Sequence, residues 1–302
     1  MHDHQHDHKN TSSNRIGWAF FLNVSFTIIE FIGGWLTNST AIMADAVHDL
    51  GDSLSIGLAW LLNKLGAKQP NGLFTYGYQR FSLLGALING FVLIAGSLWV
   101  LSAAIPRLFE PQQPYAVGMF WLAVLGVAVN GYAAFKLSHG KTLNERVLNW
   151  HLMEDVLGWV AVLIVAVTLM FVDWPILDPL LSIAFTLFIL VNVVRNLIEA
   201  GSLLMQSTPN RSLHTSVTEI FLGIEHIEET HHVHLWSLDG ENHVLTAHLR
   251  LDAAVNPEKQ LKIKSEISTA LDAFNFLHTT IEFEFPNEYC RDDYEGRLGK
   301  SC

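Results

Sequence analysis

From Ile16 to about Asn196 the chain alternates apolar runs with short polar connections. Each run approaches the roughly 20 residues that a helix needs to cross a bilayer. The runs begin near Ile16, Ala41, Phe81, Val117, Leu148 and Leu177. This pattern predicts six transmembrane helices over residues 16–206. The second and fifth runs are the least apolar, because ionisable residues interrupt them, so a six-span count requires a function that needs polar helices.

Beyond Ser207 the period changes and charges return. A helix is predicted over Ser212–Leu222, then strands over Glu228–Ser237 and His243–Leu251, joined at Asp239-Gly240. A helix over Pro257–Phe274 and a strand over Thr279–Phe285 follow. Asp-Gly between two alternating runs is a hairpin signal. Residues 207–302 are thus expected to form an α+β (αββαβ) domain, with its helices on one face of the sheet.

Composition agrees with the membrane reading. Half of the 302 residues are hydrophobic and only 16% are charged, with a mean hydropathy of +0.28. That balance excludes a disordered chain and an ordinary soluble one. A formal net charge of −11 leaves no basic footprint for nucleic acid. Fifteen histidines stand against two cysteines, Cys290 and Cys302, both near the chain end. No disulfide framework or CxxC motif is possible, so metal chemistry must rely on His, Asp and Glu.

Loop charges set the orientation. Arg15, Lys64, Lys68, Arg80, Lys136, Lys141, Arg146 and Arg195 fall on one side of the predicted bundle. The positive-inside tendency makes that side, and both termini, cytoplasmic. Residues 1–15 lack the basic start of a signal peptide. They carry His2, His4, His6 and His8, a composition open to two readings, loose capture of metal ions or a disordered tail that transport does not need.

The chemistry concentrates in the two polar spans. The second contains Asp45, His48, Asp49 and Asp52, and the fifth contains His151, Glu154 and Asp155. His48 and Asp52, like His151 and Asp155, are four residues apart, a spacing that puts both side chains on one face of a helix. Two such helices facing each other offer two imidazole nitrogens and two carboxylate oxygens, a tetrahedral set suited to Zn²⁺. An ionised side chain at mid-membrane costs about 2.5–3.5 kcal/mol on insertion scales, and neither span holds a Lys or Arg to offset it. The carboxyl groups must therefore be protonated, hydrated in a cavity or neutralised by a bound cation. Asp45, Asp49 and Glu154 are cavity or proton-relay candidates. Glu30 in the first span is open to a cavity role or a packing hydrogen bond. Asp178, followed by Pro179, is expected to cap the start of its own helix.

The run from Asn38 to Asp52, the segment Tyr76-Gly77-Tyr78-Gln79-Arg80, the His151/Asp155 pair and the tail segment His234-Leu235-Trp236-Ser237 resemble the cation diffusion facilitator family. The likeness extends over nearly the whole chain and is greatest to the bacterial zinc/cadmium/cobalt efflux branch. It implies a homodimer in the bacterial inner membrane with a metallochaperone-like cytoplasmic domain. It further implies a secondary transporter, with no enzymatic activity and no organic cofactor, that exports Zn²⁺ in exchange for protons. Carried over by position, the transport ligands would be His48, Asp52, His151 and Asp155. A cytoplasmic regulatory zinc site would use His232, His234, His248 and Glu284, with Cys290 as a further candidate. Three departures stand out. The segment from Lys64 to Tyr78 has neither Asp nor His for a loop metal site, Phe283 and Phe285 replace ligands of a binuclear cluster, and no acid between Gly201 and Thr208 is available to pair with Arg80.

Other readings stay open on sequence alone. The His/Asp set argues against Mn²⁺, which favours oxygen-rich shells, but not against Cd²⁺ or Co²⁺. An intramembrane metalloenzyme would need an open metal position, and no HExxH motif is present. A membrane-bound zinc sensor that signals through its tail is the third possibility.

Overall fold

The computed structural model describes residues 6–66, 68–137 and 143–292, and within its helices the side chains of 20–21, 23–62, 64–66, 68–135 and 152–292. The His-rich segment at 1–5 and Cys302 lie outside the described residues, as do the side chains of His6, His8 and His151.

Six long helices are described: α1 (His6–Thr37), α2 (Thr40–Gly66), α3 (Phe81–Ala104), α5 (Ala116–Leu137), α6 (Leu143–Phe171) and α7 (Leu177–Leu204), with a short α4 (Pro106–Phe109) after α3. Among the described residues, Phe81–Phe109, Ala116–Phe135, Leu152–Phe171 and Leu177–Leu204 are long and apolar enough to cross a membrane. Helix α2 falls short of that standard because Asp45, Asp49, Asp52 and Lys64 lower its hydropathy.

The chain forms two compact units. One runs to Lys64 and resumes over Leu84–Ile198; the other joins Leu65–Leu83 to the residues from Glu199 onward. In the first unit the usual burial pattern is inverted. Trp35, Trp121 and Phe171 are 81%, 65% and 84% exposed, while Glu30, Asp45, Asp49, Asp155 and Asp178 are all buried. A water-soluble helical domain does not arrange itself so, whereas helices solvated by lipid do. Two apolar clusters hold these helices. One joins Ala41 and Ile42 of α2 to Met119 and Ala123 of α5 and to Trp159, Val162 and Ala166 of α6. The other joins Ala44 and Val47 of α2 to Leu93 and Val100 of α3 and to Ile189 and Val193 of α7. Glycine permits close approach: a Cβ at Gly96 of α3 would stand 2.6 Å from Val47 Cγ1.

In the second unit, α8 (Arg211–Leu222), β1 (Ile227–Ser237), β2 (His243–Leu251), α9 (Pro257–Leu271) and β3 (Phe276–Glu284) follow in order. Helix α8 is capped by Asn210, whose side chain accepts from Ser212 N. Helix α9 begins with Pro257 and is capped by Asn256, which accepts from Lys259 N. The sheet order is β1-β2-β3, antiparallel then parallel. Leu245, Ala247, Leu249 and Leu251 alternate along one face of β2 and pack with Val217 and Phe221 of α8 and Ile263, Ile267 and Leu271 of α9. Both helices therefore cover that face, leaving the other to His248. The connection between α2 and α3 belongs to this unit as well, with the Tyr76 ring edge-on to His278 of β3 at 5.1 Å and to Trp236 of β1 at 6.5 Å.

Candidate metal centres

The i, i+4 spacing on α2 brings His48 Nε2 to 3.7 Å from Asp52 Oδ2. Across the bundle, the same nitrogen lies 3.6 Å from Asp155 Oδ1 on α6. One donor atom from each of the three residues falls within 4.8 Å of the others. These separations are close to the edge of a tetrahedron around a zinc ion, roughly 3.3–3.6 Å for bonds of about 2.0–2.2 Å to nitrogen and oxygen. Phe185 of α7 meets the His48 ring edge-on at 5.8 Å, walling one side. His151 lies on α6 one turn before Asp155.

The surroundings are acidic. Asp45 and Asp49 of α2 are 3% and 5% exposed, and Glu30 of α1 places its carboxyl group against Asp49. Asn23 of α1 donates to Ser53 Oγ at 3.1 Å, holding α1 to α2 just beyond the site. No Lys or Arg occurs between Thr40 and Asn63 in α2, or after Arg146 in α6. Cations must enter from outside the helices to balance this group, and protons and divalent metal ions both qualify. Glu154 is exposed, turned away from Asp155 by the helical step.

A second cluster forms on the open face of the tail sheet. His248 Nδ1 lies 2.9 Å from Glu284 Oε1. His231 Nε2 is 3.0 Å from Glu284 Oε2, and Cys290 Sγ is 3.4 Å from His248 Nδ1. Donor atoms of His231, His248, Glu284 and Cys290 all lie within 4.8 Å of one another. Nitrogen, oxygen and sulfur donors in one group suit Zn²⁺. Burial tends to raise the Glu284 pKa, but hydrogen bonds from Cys290, His248 and His231 prevail and hold it below the usual carboxylate value.

This grouping differs from the one expected by position. Strict alternation puts His232 and His234 on one face and His231 on the other. Strand β1 instead carries an irregularity between His231 and His234, and His232 adopts a left-handed φ of 47°. The bulge turns His231 toward Glu284. His232 and His234 line an adjacent cavity of about 500 Å³ with His248, Glu282, Arg291 and Asp292. The His232 ring remains 5.2 Å from that of His248. Nothing in the local residue pattern signals the bulge, and alternation alone sets His231 on the face opposite His232 and His234. Phe185 carries no sequence signal either, since it looks like any other apolar residue of a span.

Comparison with known proteins gives this geometry a family. Residues 18–205 match the cation efflux transmembrane domain, and residues 209–285 match the cation efflux protein cytoplasmic domain. The zinc transporter ZitB of Pectobacterium atrosepticum is 31% identical over 296 residues, covering 96% of this chain and 91% of that protein. A cadmium, cobalt and zinc/H(+)-K(+) antiporter of Bacillus subtilis is 32% identical over 287 residues, covering 92% and 91%. The metal cation efflux system protein CzcD of Cupriavidus metallidurans is 30% identical over 284 residues, covering 93% and 89%. With both domains matched in order and relatives aligned across nearly their full length, the chain belongs to the cation efflux family of membrane transporters.

Proposed function

We propose that this protein is a zinc/proton antiporter that exports Zn²⁺ from the cytoplasm by alternating access. Cd²⁺ and Co²⁺ are accessory cargoes in this reading. The observation that carries it is the meeting of His48 and Asp52 on α2 with Asp155 on α6 at separations fit for a shared ion. His151 supplies the fourth donor. The names of the relatives, which include zinc transporters and a proton-coupled antiporter, support the same cargo and coupling.

The chemistry follows from the ligands. Imidazole and carboxylate must shed protons to hold a divalent metal, so binding releases protons and protonation expels the ion. A site open to the cytoplasm loads zinc; one open to a more acidic exterior exchanges it for protons. Asp45, Asp49 and Glu30 form an acidic lining through which protons reach the ligands, and Glu154 attracts cations at its margin. Rocking of the ligand helices switches access.

The reading includes six spans, α1, α2, α3, α5, α6 and α7, in the bacterial inner membrane with both termini cytoplasmic. It also includes a homodimer, for which the tail's family supplies the precedent. In the tail, His231, His248, Glu284 and Cys290 hold a regulatory zinc ion, with His232 and His234 lining its approach.

X-ray absorption of zinc bound to a variant lacking the tail donors (His231→Ala, Cys290→Ser, Glu284→Gln) tests the transport site. The expected shell contains two imidazoles and two carboxylates, reduced to one carboxylate in Asp155→Ala. A shell unchanged by Asp155→Ala would defeat the assignment.

A further inference from the structure

The start of α2, which carries the transport ligands, is fastened to α7 by one carboxyl group. Asp178 does not cap its own helix as its Asp-Pro context suggested. It is 1% exposed and accepts four hydrogen bonds from residues that open α2. The donors are Ser39 Oγ at 2.5 Å, Thr40 N at 2.7 Å, Thr40 Oγ1 at 2.8 Å and Ala41 N at 3.2 Å. One turn along α7, Ser182 Oγ donates to the Thr40 carbonyl at 2.9 Å. Ser39 Oγ also accepts from Ile42 N, closing the cap. The amides left over at a helix start are thus held by a charged group from a neighbouring helix, where the helix dipole favours it. Further along the same pair, Phe185 walls His48 and Ile189 and Val193 pack on Ala44 and Val47.

We propose that Asp178 is a positioning residue, a pivot that keeps the first turn of α2 on α7 through the whole transport cycle. His48 and Asp52 then change access by rotation of α2 about this end. Separation at this end would strip a buried carboxylate of four donors and leave helix-start amides unpaired, among the costliest states for such groups. A gate that opened at every turnover would be built from weaker contacts. The inference rests on reading α2 as the helix that holds the transported ion.

The test uses full-length protein in proteoliposomes, with zinc uptake driven by a pH gradient. In Thr40→Cys/Asp178→Cys the anchoring bonds are lost, and a short, reducible bis-thiosulfonate linker restores a tie. Without the linker, the maximal uptake rate should fall about tenfold or more, while equilibrium zinc binding persists because the ligands are intact. With the linker, uptake should recover. Single-cysteine variants treated alike control for Cys290 and Cys302. Full uptake without the linker overturns the proposal, and so does a linked protein less active than the unlinked one, which would make this contact a gate. Asp178→Asn supplies a milder arm, with unaltered zinc affinity and a lowered maximal rate expected; wild-type behaviour in both would also overturn it. Wild type no faster than Asp155→Ala would instead sink the transport reading itself.

Discussion

His48 Nε2 and Asp155 Oδ1 stand 3.6 Å apart although 107 positions (155 − 48) separate them in the chain. One belongs to α2 and the other to α6, so their proximity is a product of helix packing. A single ion bound between them would tie the two helices together. Replacing His48, Asp52 or Asp155 by Ala should weaken zinc binding at this site about 10- to 100-fold, as expected when one charged or ligating partner is lost. Calorimetry in the background lacking the tail donors would measure this.

The balance of nitrogen and oxygen donors should set the cargo. His48→Asp makes the shell richer in oxygen, which favours Mn²⁺ relative to Zn²⁺. Competition uptake in vesicles should show the Mn²⁺/Zn²⁺ ratio rising in this variant. An unchanged ratio would mean that His48 is not a ligand.

Much of this arrangement was legible in the sequence. The i, i+4 pair on α2 needs only helical geometry, and the Asp239-Gly240 turn located the tail hairpin. What escaped notice depended on non-local packing or irregular backbone. The bulge that turns His231 toward Glu284 has no signature in Thr230-His231-His232-Val233, where period-two alternation favours His232. Asp178 has the local marks of a cap for its own helix, yet its partners lie about 138 residues earlier.

The tail cluster should take up zinc and stabilise its sheet. At free zinc about a hundredfold above the dissociation constant, the gain is roughly 2.7 kcal/mol. Chelation should remove it, and Cys290→Ser or His231→Ala should reduce it. Hydrogen exchange of β1 and β2 peptides, with and without chelator, reads the change.

Stability of the zinc-free tail should depend on pH through His243. Burial pulls this imidazole below its ordinary value, and nearby Asp239 offsets the effect only in part. The unfolded chain therefore takes up its proton first as the pH drops. The stabilising contribution is complete above about pH 6.5 and is lost as the pH falls through the lower native value. In chelator-treated protein the urea midpoint of the tail should drop less on acidification in His243→Gln than in wild type.

Phe221 is fully buried where α8 meets the sheet. Phe221→Ala should destabilise the tail by about 3–5 kcal/mol, measured by the same urea titration. Zinc binding at the intramembrane ligands should persist, since those ligands belong to the other unit.

Zinc flux into proteoliposomes under an imposed pH gradient, comparing wild type with Asp155→Ala, decides whether the chain is an antiporter working through the His48–Asp52–Asp155 site. Wild-type uptake should follow the gradient, collapse when the gradient is dissipated and disappear in the variant. Uptake by wild type that ignores the gradient, or that equals the variant's, would contradict this reading.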